Sequence, residues 1–152
     1  MRYFESKQTG IVFVVLETGD LLLESICEVA RKADIHTGVL MTGIGSLSKA
    51  RIHTVLTNIN PVEELYLDIE GPLEVTNFNG LISDYEPHVH ITMADPNMKF
   101  YGGHLEPGCA ILTLSEFSIL RIPDVRLFRH QMPERSPYPY RMLDLQDGQP
   151  AE

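Results

Sequence analysis

Only one stretch of this chain repeats its apolar residues at a helical period, and that restricts the fold more than any other feature. Leu22, Ile26, Val29, Ala30 and Ala33 recur at i, i+4, i+7, i+8 and i+11, one face of a helix, with Asp20 in the position of an N-cap. Elsewhere the apolar residues come in short β-branched and aromatic runs bounded by Gly, Pro, Asn and Asp. Residues 11–16 (IVFVVL) read as a buried strand. Residues 38–44 and 50–56 lie on either side of a Gly45-Ser46 break and read as two adjacent antiparallel strands. Residues 64–69 and 73–78 flank a Gly71-Pro72 turn. Residues 88–93, 98–101 and the long apolar segment 109–122 complete the series. Many short strands with one helix near the start make an α+β domain, a mostly antiparallel or mixed sheet with one principal helix packed on it.

Length and charge narrow the function classes. A chain of 152 residues corresponds to about one domain, and at this size folding buries roughly 70% of the surface the unfolded chain exposes. A core can therefore form without disulfide or metal staples. Lys and Arg number 12 against 21 Asp and Glu, a net charge of −9, which offers no broad attraction to phosphate backbones or anionic lipid. Cys27 and Cys109 are too few for a disulfide framework and are not a CxxC pair, so buried thiols in a reducing cytoplasm are expected. No apolar run approaches the ~20 residues that span a bilayer, and the first residues lack the apolar core of a signal peptide. Residues 1–130 form the expected domain. Residues 131–152, with Pro133, Pro137, Pro139 and Pro150 among polar residues, are expected to be a loosely ordered tail.

The sharpest chemical signal is His88-Val89-His90. In a strand the side chains at i and i+2 leave the same face, about 7 Å apart at the backbone, so two imidazoles can share a cation. His104 follows Gly102-Gly103, and the intervening Asp95-Pro96-Asn97 turn can return it beside the first two. Three neutral imidazoles with an open fourth position suit Zn2+, and also Ni2+, Co2+, Cu2+ or Fe2+. The same spacing also fits surface or hydrogen-bonded histidines. Glu116, inside an apolar run, and Glu74 are carboxylates that could serve as a base or hold a histidine; nothing in the sequence chooses between them. Gly43-Ile44-Gly45-Ser46 lacks the Lys and the following helix of a phosphate loop and reads as a strand-end turn. Cys109 reads as packed, and His36, His53 and His130 have no partner at ligand spacing.

Taken in order, the segments Glu17-Thr18-Gly19-Asp20-Leu21-Leu22-Leu23-Glu24-Ser25, Thr42-Gly43-Ile44-Gly45-Ser46-Leu47, Gly71-Pro72-Leu73-Glu74-Val75, His88-Val89-His90-Ile91, Gly102-Gly103-His104-Leu105, and Gly108-Cys109 through Ser115-Glu116 resemble the plant- and prokaryote-conserved (PPC) domain. The likeness covers about residues 8 to 122. It implies an α+β fold with a mostly antiparallel sheet, one principal helix and homotrimeric assembly. It also implies a three-histidine metal site, with zinc as cofactor, carried over to His88, His90 and His104. Glu116 matches a recurrent family glutamate whose role is unsettled, and it is the tentative catalytic residue. The resemblance points to a stand-alone metal-binding PPC-domain protein, a metal-dependent small-molecule enzyme or sensor, with a water or small anionic ligand on the metal. The alternative is a DNA-binding or transcription-regulatory protein, or a trimeric protein-interaction module. The sequence departs from the plant proteins in having no Arg-Gly-Arg-Pro hook, and its −9 charge leaves no basic stripe, so direct contact with nucleic acid is not expected.

Overall fold

The computed structural model describes residues 1–133 and 138–146. In chain order the elements are β1 (Arg2–Glu5), β2 (Ile11–Glu17), α1 (Leu22–Lys32), β3 (Thr37–Val55), β4 (Glu64–Ser83), β5 (Glu86–Ala94), β6 (Phe100–Leu105), β7 (Ala110–Arg121), β8 (Leu127–Gln131) and β9 (Arg141–Leu145). Seven strands make one sheet in the order β1-β2-β7-β3-β4-β5-β6, and β6 also pairs back onto β3. Every pairing among the described residues is antiparallel, so the sheet is not mixed.

The topology follows from the length of β3. One edge of it carries β4; the other carries β7 along Gly38–Lys49 and then β6 at Ile52 and His53. The strands β3, β4, β5 and β6 therefore close into a ring, while β7, β2 and β1 extend from the first half of β3. The two strands expected at residues 38–44 and 50–56 are one strand of 19 residues, and the Gly45-Ser46 break is a distortion inside it. Gly45 has φ +152, and a Cβ there would lie 2.5 Å from the Leu114 carbonyl oxygen, so glycine lets β7 cross close by and the strand bends instead of stopping. Gly71-Pro72 likewise lies within β4 rather than at a turn, where the β3–β4 register shifts between Leu47 and Lys49.

The helix spans the expected segment, and its apolar face buries Leu22, Ile26, Val29 and Ala30. They join Val12, Val14 and Leu16 of β2, Phe78 of β4, and Val89 and Ile91 of β5 in one apolar cluster, each large side chain contributing about 1.5–3 kcal/mol. Asp20 is not the N-cap. That position is Leu21, with no side-chain cap; Asp20 Oδ2 instead accepts the Glu17 N–H at 2.9 Å, and the Leu22 N–H donates to the Cys109 carbonyl at 2.9 Å. The strand leading into β7 thus satisfies a helix-start donor that a side chain would otherwise take.

Strand β2 is buried on one face only. Val12, Val14 and Leu16 are inaccessible, whereas Phe13 is 51% exposed, as are Ile44 (50%) on β3 and Leu114 (46%) on β7. The apolar run at residues 11–16 therefore does not mark a strand covered on both faces within one chain. Both cysteines are free; Cys109 is buried and Cys27 half-buried, and burial pushes both thiols up from their ordinary range. Within the segment expected to be loosely ordered, Arg141–Leu145 form β9, paired with β8. The Tyr140 hydroxyl accepts the Val62 N–H at 2.9 Å, which ties this hairpin to the loop before β4. The rest of that expectation, at 134–137 and 147–152, lies outside the described residues. No helix among the described residues is long and apolar enough to cross a membrane.

Candidate metal centre

The centre begins with strand alternation. On β5 the side chains of Val89 and Ile91 point into the core, 1% and 2% exposed, which puts His88 and His90 together on the opposite face. Strand β6 lies beside β5 with His104 directly opposite His90. The sequence reading thus receives its third imidazole from the neighbouring strand, reached through the turn at Asp95, whose Oδ1 accepts the N–H groups of Asn97 and Lys99.

The three rings converge. His88 Nε2 and His90 Nε2 are 3.3 Å apart, the His88 and His104 ring centroids 4.7 Å, and the His90 and His104 centroids 5.4 Å. One ligand atom from each of the three lies within 4.8 Å of the others. At 3.3 Å two ring nitrogens either share a proton or face a common cation. Burial, reinforced by the Arg129 charge and the neighbouring imidazoles, lowers the His88 pKa to about 4. His104 is lowered too, by burial and then by His53, with Glu106 opposing. Both rings are neutral at pH 7, so their lone pairs are available to a cation. Three imidazoles on two rigid strands fit a divalent transition metal that keeps an open coordination position.

A profile of the Plants and Prokaryotes Conserved (PCC) domain matches residues 3–123. The chain belongs to that family. Curated relatives include the bifunctional protein GlmU of two Synechococcus strains, 29% identical over 115 residues, or 76% of this chain; the chain spans only 17–18% of the length of those relatives. Among solved structures, a candidate DNA-binding protein from Ralstonia eutropha is 26% identical with a TM-score of 0.75, covering 94% of this chain and 95% of that one. A metal-containing protein from Archaeoglobus fulgidus is 24% identical with a TM-score of 0.63, covering 79% of this chain and 82% of that one.

Within this PCC domain neither expected carboxylate joins the histidines. Glu116 is exposed on β7 between Val15 and Ile44, and it belongs to neither histidine cluster. Glu74 is exposed on β4, opposite Ser46 and Ala94. The carboxylates near the centre are others. His53, which showed no partner in the sequence, is the cross-strand neighbour of His104 on the side away from His90, the two rings stacked with centroids 4.5 Å apart. Its Nδ1 pairs with Glu106 Oε1 at 2.6 Å, and its Nε2 lies 3.9 Å from Glu64 Oε1. The row His53, His104, His90 thus crosses β3, β6 and β5 on one face. Gly103 makes room for it, because a Cβ there would collide with the His53 carbonyl oxygen. His36 and His130 join neither histidine cluster among the described residues.

Proposed function

We propose that this PCC-domain protein binds a divalent metal, zinc in the first place, through His88, His90 and His104, and works as a metal-dependent small-molecule enzyme or sensor. The observation that carries this reading is the convergence of three imidazoles, ligand atoms within 4.8 Å of one another, from strands whose other faces are packed into the core. A metal held there would act as a Lewis acid and lower the pKa of a bound water. The protein's part is to present three imidazole nitrogens from adjacent strands and to leave one side open, since His90 is exposed. Arg129, close enough for its charge to act on His88, favours a small anion as the further ligand. The metal-containing relative from Archaeoglobus supports the same assignment.

Association through the exposed sheet face of Phe13, Ile44 and Leu114 is part of this reading, with a homotrimer as the assembly and Glu116 at the subunit boundary rather than at the metal. The free thiols fit a cytoplasmic setting. The Ralstonia relative favours a second reading, DNA binding, against which stands the −9 charge. Elemental analysis of gently purified protein tests the leading reading: at least one metal per chain supports it, and metal-free protein contradicts it. A mobility-shift assay across salt concentrations tests the second, since tight, salt-sensitive binding to DNA would reverse the ranking.

A further inference from the structure

Beside the three-histidine centre stands a second group, His53, His104 and Glu106, with one ligand atom from each within 4.8 Å of the others. We infer that this group is a second divalent-cation position, adjacent to the first and sharing His104 with it. Its placement follows from the ring closure of the sheet. Strand β6 is held between β5 and β3, so His104 has a histidine on either side, His90 and His53. Glu106 follows His104 by two residues, and its N–H donates to the Arg51 carbonyl at 3.0 Å, which continues the β3–β6 ladder and brings the carboxylate onto the same face.

The donor set and its burial supply the second observation. His53 lies between two carboxylates, with Glu106 at 2.6 Å from one ring nitrogen and Glu64 at 3.9 Å from the other. Among the described residues neither carboxylate pairs with a lysine or arginine; the other partner of Glu64 is the Tyr66 hydroxyl, which donates to it at 2.8 Å. The side chains of His53 and Glu106 are only 19% and 21% exposed, while Glu64, at 42%, stands at the rim. Two imidazoles with one or two carboxylates is a ligand set for Zn2+, Mn2+ or Fe2+, harder than the all-nitrogen set next to it. Simultaneous occupancy would require His104 to offer a different ring nitrogen to each cation, with its ring proton lost to solvent.

The inference deepens the proposed metal function, and its test separates the two. The full chain, stripped with a chelator, is equilibrated by dialysis against Zn2+ alone, and the bound metal is counted per chain for wild type, Glu106→Gln, His53→Ala and His88→Ala. Two zinc ions are expected in wild type, one in Glu106→Gln and His53→Ala, and one in His88→Ala. Glu106→Gln keeps the side-chain shape, so it reports even if His53→Ala fails to fold. In Cu2+-loaded wild type the electron paramagnetic resonance signal should show coupling between two ions, and Glu106→Gln should give the spectrum of an isolated ion. A wild type holding one zinc, lost in His88→Ala and unchanged in Glu106→Gln, overturns the second position and leaves the first. A single zinc lost in Glu106→Gln but kept in His88→Ala contradicts the three-histidine reading instead and upholds the second group.

Discussion

His90 and His104 stand directly opposite each other on adjacent antiparallel strands, and His88, two residues along from His90, completes a triangle of imidazoles over a face whose reverse side is core. Because the strands hold the rings, each ring should matter separately. His90→Ala and His104→Ala should each lower metal affinity at least tenfold, about 1.4 kcal/mol or more, as measured by competition with a chromophoric chelator. His36→Ala, outside the cluster, should leave affinity unchanged.

The pH dependence has a definite sign. His88 is depressed to about 4 in the folded protein against an ordinary value of 6.5, so between these values the unfolded chain binds more protons than the folded one. Stability of the metal-free protein should therefore be fully present above about pH 6.5 and fall as the pH drops toward about 4. Arg129→Gln removes a like charge and should move the His88 midpoint upward, as followed by the imidazole proton resonances with pH; an unchanged midpoint would show that Arg129 does not act on the centre.

Gly103 holds β6 close to β3. Gly103→Ala should cost about 1–3 kcal/mol in urea unfolding and should weaken metal binding as well, because the clash falls on the His53 backbone beside His104. Phe78→Ala offers the contrast. Phe78 is wholly buried, with its ring 5.5 Å from that of Phe117, and should cost about 3–5 kcal/mol with metal affinity per folded molecule retained.

The site was partly legible before the fold. HxH in a strand places two imidazoles on one face by period alone, and the turn at Asp95 made the return of His104 readable. His53 was not legible, because its link to His104 is a cross-strand register between residues far apart in the chain, which leaves no local spacing behind. Glu116 drew attention as a charge inside an apolar run; the run belongs to a strand buried on one face, and Glu116 lies on the other. Gly45 and Gly71 misled as strand ends for a related reason. Glycine permits a close crossing or a register shift within a long strand as readily as it permits a turn, and only the neighbouring strand decides which.

The exposed apolar face of β2, β3 and β7 carries a prediction about assembly. Ile44→Arg should convert a trimer to monomers in size-exclusion chromatography with light scattering, at unchanged circular dichroism. A wild type that is already monomeric would remove the assembly part of the reading.

The central claim is that His88, His90 and His104 together ligate a metal, and crystallographic anomalous scattering above and below the zinc absorption edge tests it most directly. The account predicts an edge-dependent peak about 2.0–2.1 Å from a nitrogen of each of the three rings. Well-ordered rings with no peak between them, in protein crystallised with zinc present, would contradict it.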